Sequence, residues 1–354
     1  FPSSWLEILE ILTMADNFLP SSIRGALEAL SRIVHCNPFL PERLELERVG
    51  ARHVIVPYTD DPDEVIKAAR GADGVIDRES PMPRRVLEAL ERCKVVLRTG
   101  IGVDVIDVEA ATELGIAVVN LPDLWIKEVA NHAFALLLAC NRRLFVLDRD
   151  IRGGKWEPII PSPVGSLHGE TVGIVGLGNT GRMLARRAAA FEMTVIATDP
   201  YVPDSVFAEY GVQSVGFDEL LERSDYISVH CPRTEETFHL FDEDAFRAMK
   251  PTAYLINTAR GPIVEHAALV EALTAGWIEG AGLDVQEFEP PDLNDPLMKL
   301  DNVVLTPHTA YFSDPAISAV PVRCGQEVAR VLTGRMPLNL VNPDVLGKLP
   351  LSAD

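Results

Sequence analysis

The chain has 354 residues and a formal net charge of −20, long enough for two ordinary domains and too acidic for a nucleic acid or an anionic membrane surface to be its main partner, since both need a positive face. Apolar residues make up 47% and charged residues 24% of the sequence, the balance of a globular chain rather than a disordered one. The longest apolar run, residues 133–140, falls well short of the ~18 residues of a membrane span and predicts a buried helix. Cys36, Cys93, Cys140, Cys231 and Cys324 are scattered without C-x-x-C spacing. That predicts reduced thiols in a cytoplasmic protein, with neither a disulfide framework nor a metal site. Glu7 and Glu10 stand where a secretory leader would carry basic residues, so no leader is expected.

Residues 1–30 read as an N-terminal extension with helical apolar spacing over 5–12 and 23–30. From residue 31 onward short apolar strands, predicted at 33–36, 53–56, 74–77, 95–99 and 116–120, alternate with helices at 42–49, 63–69, 86–91 and 108–114. This is an α/β rhythm of the flavodoxin-like kind. Residues 127–150 read as one long helix with an apolar face, ended by Gly153 and Gly154 and followed by a proline-rich loop over 158–163.

The stretch 171–201 is the most informative in the chain. A buried strand at 172–175 runs directly into Gly176, Gly178 and Gly181, spaced Gly-x-Gly-x-x-Gly, with Asn179 and Thr180 between the last two. A helix over 182–191 and a second strand over 194–198 follow, and the strand ends in Asp199. In such a unit the first glycine permits the tight turn, the second lets the backbone approach a pyrophosphate and the third lets the helix pack on the strand. The helix N-terminus then offers free N–H groups to the anion. Asp199 falls eighteen residues after Gly181, close to the roughly 20 expected of a carboxylate that bonds the ribose hydroxyls. A carboxylate there repels a 2′-phosphate, so the pattern predicts NAD rather than NADP.

The rhythm continues with helices at 217–223, 243–249 and 265–275, strands at 226–230, 253–257, 280–285 and 303–306, and a closing helix at 316–334. The expected architecture is α/β, with a Rossmann-type NAD-binding domain over 123–312 inserted into a flavodoxin-like substrate-binding domain over 31–122 and 313–345. Residues 346–354 are expected to form a tail. Arg260, Glu289 and His308 are then expected just past the C-terminal ends of three strands, the edge at which ligands bind in such sheets.

Taken together, Gly176-x-Gly178-x-x-Gly181 with Asp199, His230-Cys231-Pro232, Asn257-Thr258-Ala259-Arg260-Gly261, Leu283-Asp284-Val285 with Glu289-Pro290, and Thr306-Pro307-His308 resemble the D-isomer-specific 2-hydroxyacid dehydrogenases. The resemblance spans about residues 32–345. It implies that Arg260, Glu289 and His308 are catalytic, that Asp284 holds the nicotinamide carboxamide, that Thr258, Ala259, Arg260 and His308 flank the cofactor, and that His230, Cys231 and Pro232 line the adenine pocket. It further implies that the backbone of Thr99, Gly100, Ile101 and Gly102 binds a substrate carboxylate. Arg78 could join that site or stand as a solvated surface charge. Tyr311 is expected to line the substrate pocket, with Trp125 a weaker candidate, and His132 to pack or bond within its own helix rather than react.

The implied reaction interconverts a D-2-hydroxy acid and its 2-keto acid. His308 supplies the proton, Glu289 fixes the imidazole, and Arg260 presents a planar fork to the carboxylate. Relatives of this family form homodimers through the cofactor domain, and the segment containing Trp156 suits such an interface. A second resemblance leaves another role open: His308-Thr309-Ala310-Tyr311-Phe312-Ser313 is similar to the same segment of the C-terminal-binding protein corepressors, which act as NAD(H)-sensing interaction proteins. Within the dehydrogenases, Glu289 in place of glutamine argues against formate. The short stretch after Pro343 leaves no room for the regulatory domain of the long phosphoglycerate dehydrogenases, while a short phosphoglycerate dehydrogenase stays open.

Overall fold

The computed structural model describes residues 32–35, 43–157 and 164–353. The predicted amphipathic helices of the N-terminal extension and the proline-rich loop lie outside these residues. The chain divides into two compact units, one comprising the chain up to Pro122 and from Ile317, the other Asp123–Ala316.

The first unit is a parallel sheet with helical crossovers. Its elements run β1 (Arg32–His35), α1 (Arg43–Arg48), β2 (Arg52–Ile55), α2 (Pro62–Ala69), β3 (Gly74–Asp77), α3 (Arg84–Ala89), β4 (Val95–Arg98), α4 (Val108–Leu114) and β5 (Ala117–Val119). The strand order β2-β1-β3-β4-β5 is the flavodoxin-like order. β3 to β5 carry continuous apolar runs because both faces of the sheet are covered: Val75, Val96 and Val118 are wholly buried and pack with Val65, Val86, Leu87 and Ala110 of the helices. α2 and α4 begin where Asp61 and Asp107 accept the backbone N–H groups of Asp63 and Ala110, the usual role of an N-cap carboxylate.

The second unit opens with α5 (Ile126–Asn141) and α6 (Leu144–Arg152), then β6 (Thr171–Val175), α7 (Asn179–Ala190), β7 (Thr194–Thr198), α8 (Asp204–Tyr210), β8 (Gln213–Ser214), α9 (Phe217–Arg223) and β9 (Tyr226–Val229). It continues with α10 (Glu243–Ala248), β10 (Tyr254–Asn257), α11 (His266–Ala275), β11 (Gly280–Leu283) and β12 (Val303–Leu305), and leads into α12 (Asp314–Leu332). Its seven parallel strands are ordered β12-β11-β10-β9-β6-β7-β8. Chain order reverses between β6 and β9, the switch point of a Rossmann sheet, where a ligand crevice forms at the C-terminal ends of the strands.

The structure corrects the sequence reading in three places. The expected long helix is two: Arg143 adopts a left-handed backbone, φ 50, and pairs with Glu279, so α5 stops at Asn141. α5 is buried through Ala133, Phe134, Leu136 and Leu137, whereas no residue of α6 is buried. The helix after the glycine turn starts at Asn179 with Gly178 as its cap, so Gly181 lies within the first helical turn rather than before it. α8 and β8 were not anticipated. α8 is short and starts behind Pro203, and β8 is two exposed polar residues on the sheet edge, which leave no apolar alternation to read.

At the far end of the chain, Asn342 is buried against the first unit. Its amide oxygen accepts the Val118 N–H at 2.8 Å while its nitrogen donates to Ile116 O at 2.9 Å. Ser352 is likewise bonded to Gly334 and Met336.

Candidate active site

The glycine turn sits at the switch point. Gly176 has φ +95, and a Cβ there would lie 2.6 Å from Cys231 N, so the turn can pass the end of β9 only as glycine. A Cβ at Gly181 would lie 2.2 Å from Gly176 O, whereas one at Gly178 would meet no described residue beyond its chain neighbours within 4 Å. The backbone at Gly178, Asn179 and Thr180 is therefore open to an approaching anion at the N-terminus of α7. Asp199, at the end of β7, accepts Leu177 N–H at 2.8 Å and Tyr201 N–H at 3.0 Å, which brings its carboxylate beside the turn.

His230, Cys231 and Pro232 follow β9. Burial pushes the His230 imidazole down to about 4, and its Nε2 lies 2.9 Å from Ser228 Oγ, so the ring is neutral at ordinary pH. Burial also pushes the Cys231 thiol up to about 12, which leaves it a thiol rather than a nucleophilic thiolate.

Three loops carry the remaining chemistry. After β10, Asn257 accepts Ala259 N–H at 3.0 Å and donates to Arg260 O at 3.0 Å, folding residues 257–260 into a tight turn. Thr258 is buried there, and its Oγ1 has no hydrogen-bond partner among the described residues. After β11 comes the loop with Glu289, and after β12 comes His308. His308 Nδ1 lies 2.7 Å from Glu289 Oε2, both side chains about two-fifths exposed. Glu289 Oε1 accepts the Gln286 N–H at 2.9 Å. Burial works to raise the Glu289 carboxyl, but the hydrogen bonds from His308 and Gln286 and the positive charges of His308 and Arg260 outweigh it and hold it below the usual glutamate range. An ionised Glu289 takes its proton-bearing partner from Nδ1, which leaves Nε2 of His308 free for proton exchange. Arg260, Glu289 and His308, spread over almost fifty positions, thus form one electrostatic cluster.

Asp284 organises the His308 loop. Its carboxylate, 2% exposed, accepts Thr306 Oγ1–H at 2.5 Å, Thr309 N–H at 2.9 Å and Ala310 N–H at 2.8 Å, while its carbonyl accepts His308 N–H at 2.7 Å. His132 Nε2 lies 2.9 Å from Thr306 Oγ1 and 3.6 Å from Asp284 Oδ1, so beyond any packing within its helix it joins this network. Tyr311 meets Trp125 edge to face at 5.4 Å. Sequence reading also missed His239 and Glu287, which touch each other at 2.7 Å; Glu287 stands two residues before Glu289, but His239 lies 21 residues before Arg260 and belongs to none of the motifs.

The substrate residues proposed for the first unit lie at its own strand ends. Thr99 N–H is bonded to Asp77 O. The carbonyls of Gly100 and Ile101 accept Leu121 N–H at 3.0 Å and Asn120 Nδ2–H at 2.7 Å, which folds the loop through Gly102 back against the end of β5. Arg78 is partly exposed and 3.8 Å from Glu79. Among the described residues there is no cluster of side chains that could hold a metal ion, and no helix is long and apolar enough to cross a membrane.

A seven-stranded Rossmann unit with its glycine turn at the switch point defines the class: a dinucleotide-binding oxidoreductase. The profile of the "D-isomer specific 2-hydroxyacid dehydrogenase, NAD binding domain" matches residues 134–310. A glyoxylate reductase of Korarchaeum cryptofilum is 40% identical over 291 residues, covering 81% of this chain and 87% of its own. A D-3-phosphoglycerate dehydrogenase of Archaeoglobus fulgidus is 38% identical over 312 residues, and there the chain spans 59% of the relative's length. Among solved structures, D-lactate dehydrogenase from Aquifex aeolicus, complexed with NAD and lactic acid, superposes with a TM-score of 0.78 at 28% identity, covering 86% of this chain and 96% of that one. The chain belongs to the D-isomer-specific 2-hydroxyacid dehydrogenase family and is an NAD-dependent enzyme of that kind.

Proposed function

We propose that the enzyme reduces a small 2-keto acid to its D-2-hydroxy acid, or runs the reverse, with His308 as the acid/base, Glu289 as its partner and Arg260 as the carboxylate grip. The observation that carries this reading is the 2.7 Å contact between His308 and Glu289 under the charge of Arg260. Bound NADH supplies the hydride. His308 Nε2 delivers a proton to the carbonyl oxygen as it gains charge, a positioned acid being worth roughly 10²- to 10⁴-fold in rate. Glu289, bonded to Nδ1, fixes the orientation and tautomer of the ring. Arg260 binds the adjacent carboxylate through two parallel N–H groups and polarises the carbonyl, which a lysine would do less well.

For the cofactor, the open backbone at Gly178, Asn179 and Thr180 with the α7 N-terminus suits the pyrophosphate, and Asp199 suits the ribose hydroxyls. His230, Cys231 and Pro232 suit the adenine. The unpartnered Thr258 Oγ1, with Ala259 and Asp284, suits the nicotinamide side. In the first unit, Thr99, Gly100, Ile101 and Gly102 are assigned the substrate carboxylate with Arg78 beside them, and Tyr311 is assigned to the substrate pocket. The exposed apolar residues Leu144, Phe145, Ile151 and Trp156 support a homodimer through the NAD-binding unit. Free thiols at Cys93, Cys140, Cys231 and Cys324 support a cytoplasmic setting.

NADH oxidation measured against glyoxylate, hydroxypyruvate, pyruvate and phosphohydroxypyruvate, with His308→Gln as control, tests the reading. Turnover on one of them, lost in the variant, is the expected result. Tight NADH binding without turnover on any would overturn it in favour of a corepressor-like NAD(H) sensor.

A further inference from the structure

The loops that carry Arg260 and Glu289 leave neighbouring strands, β10 and β11, and touch through their backbones. A Cβ at Gly261 would lie 1.8 Å from Gln286 O and 2.5 Å from Glu287 N, so glycine alone lets them meet. A separate segment then fastens the pair. His239 holds a left-handed backbone, φ 51, unusual for a residue with a side chain. In that posture its N–H donates to Pro262 O at 2.9 Å, two residues after Arg260. Its ring Nε2 reaches Glu287 Oε1 at 2.7 Å.

The other oxygen of Glu287 accepts His266 N–H at 2.8 Å, at the start of α11, and Glu287 is only 15% exposed. One residue earlier, Gln286 N–H donates to Glu289, which in turn holds His308. The far end of the same loop is tied by His266 Nε2 to Asp295 at 2.8 Å. His239 is therefore bonded to the Arg260 loop through its backbone and to the Glu289 loop through its ring. A strained backbone is retained where the surroundings require it, and these two contacts are what it secures here.

We propose that His239 and Glu287 are positioning residues for the reaction, a clasp that fixes the Arg260 fork relative to the Glu289–His308 pair. The proposal rests on the reading of those three residues given above. Neither member of the clasp belongs to the glycine turn or the Asp199 site, which take the pyrophosphate and ribose in that reading, so turnover should depend on it far more than cofactor affinity does.

The test is a kinetic comparison of the full-length enzyme with His239→Ala, His239→Gln, Glu287→Gln and His308→Gln, reading kcat, KM for the keto acid, and NADH Kd by fluorescence. His239→Ala should lower kcat about 10- to 100-fold, the scale expected when supported catalytic groups lose their positioning, with NADH Kd changed less than twofold. His239→Gln keeps a side-chain amide to donate to Glu287 and should recover most of the loss. In a His308→Gln background, His239→Ala should cost little more, because both act through the same proton transfer. Should His239→Ala fail to fold, Glu287→Gln weakens the same clasp from its other side and should move kcat in the same direction. An inactive His308→Gln with unchanged kcat in His239→Ala and Glu287→Gln overturns the clasp alone. Equal losses of kcat and NADH affinity, additive with His308→Gln, make the contact merely structural and overturn it as well. Retained turnover in His308→Gln overturns the reading of the site itself, and the clasp with it.

Discussion

Asp77→Asn should stabilise the enzyme above neutral pH and remove part of its pH dependence. Asp77 ends β3 and is wholly buried. Its Oδ1 accepts Ser80 N–H at 3.0 Å, while its Oδ2 finds no hydrogen-bond partner among the described residues. Burial raises its carboxyl from 3.8 to about 6, against the lowering influence of the Arg98 charge and the Ser80 hydrogen bonds. The folded protein thus binds this proton more tightly than the unfolded chain. The contribution is fully favourable below the unfolded value and is lost as pH rises to about 6 and beyond. A shift of roughly two units corresponds to about 3 kcal/mol over the whole range, of which about 1–2 kcal/mol falls between pH 5 and 8. Asparagine can still accept the Ser80 N–H, can offer its own N–H to Ser80 Oγ, and does not ionise. Urea unfolding of both proteins across pH 5 to 8 should therefore show the variant gaining on the wild type by that amount, with most of the change near pH 6. Parallel curves would refute the reasoning, because they would mean that Arg98 fully compensates the buried charge.

Asp199→Asn removes the charge that disfavours a 2′-phosphate; steady-state kinetics should show KM rising for NADH and falling for NADPH, shifting the preference by about tenfold, or ~1.4 kcal/mol, and unchanged NADPH kinetics would contradict the assignment. Gly261→Ala forces a methyl into Gln286 O and should lower stability by about 1–3 kcal/mol together with kcat, read by urea unfolding and turnover; a variant matching wild type in both would mean that the two loops separate freely. Tyr226→Phe deletes a hydroxyl that donates to Glu170 at 2.9 Å and accepts from Asn141 at 2.7 Å, which leaves the buried Asn141 amide unpaired. The expected loss is about 1–3 kcal/mol in chemical unfolding, with kcat unaffected.

The sequence carried the sheet-forming strands well because a doubly covered parallel strand is a short apolar run and little else resembles it. β3, β6, β9 and β10 were each placed within a residue or two. Elements that bury little were read poorly. α8 and β8 were missed, and α5 was fused with α6 because the stop between them depends on Arg143 adopting a left-handed turn against Glu279, a partner more than a hundred residues away. The site follows the same division. Arg260, Glu289 and His308 were legible through their motifs, and the structure gathers them. His132, His239 and Glu287 were not, since each is defined by a contact made across the fold rather than by its neighbours in the chain.

Strand ends bring the three loops to one edge, but side chains orient them. His308 sits in the left-handed region, φ 52, a conformation that costs a non-glycine residue about 1–2 kcal/mol. Asp284 offsets that cost: its carbonyl accepts the His308 N–H and its carboxylate accepts the next two backbone N–H groups and the Thr306 hydroxyl. The same bonds explain how a carboxylate can remain buried at the end of β11, since a buried charge is tolerable only when hydrogen-bonded. Asn257 does the equivalent for the Arg260 turn, and Gln286 N–H for Glu289. At each position a polar side chain or a fixed backbone N–H replaces the regular bonding that ends with the strand. The polar residues that look incidental between the motifs are therefore what hold Arg260, Glu289 and His308 in register.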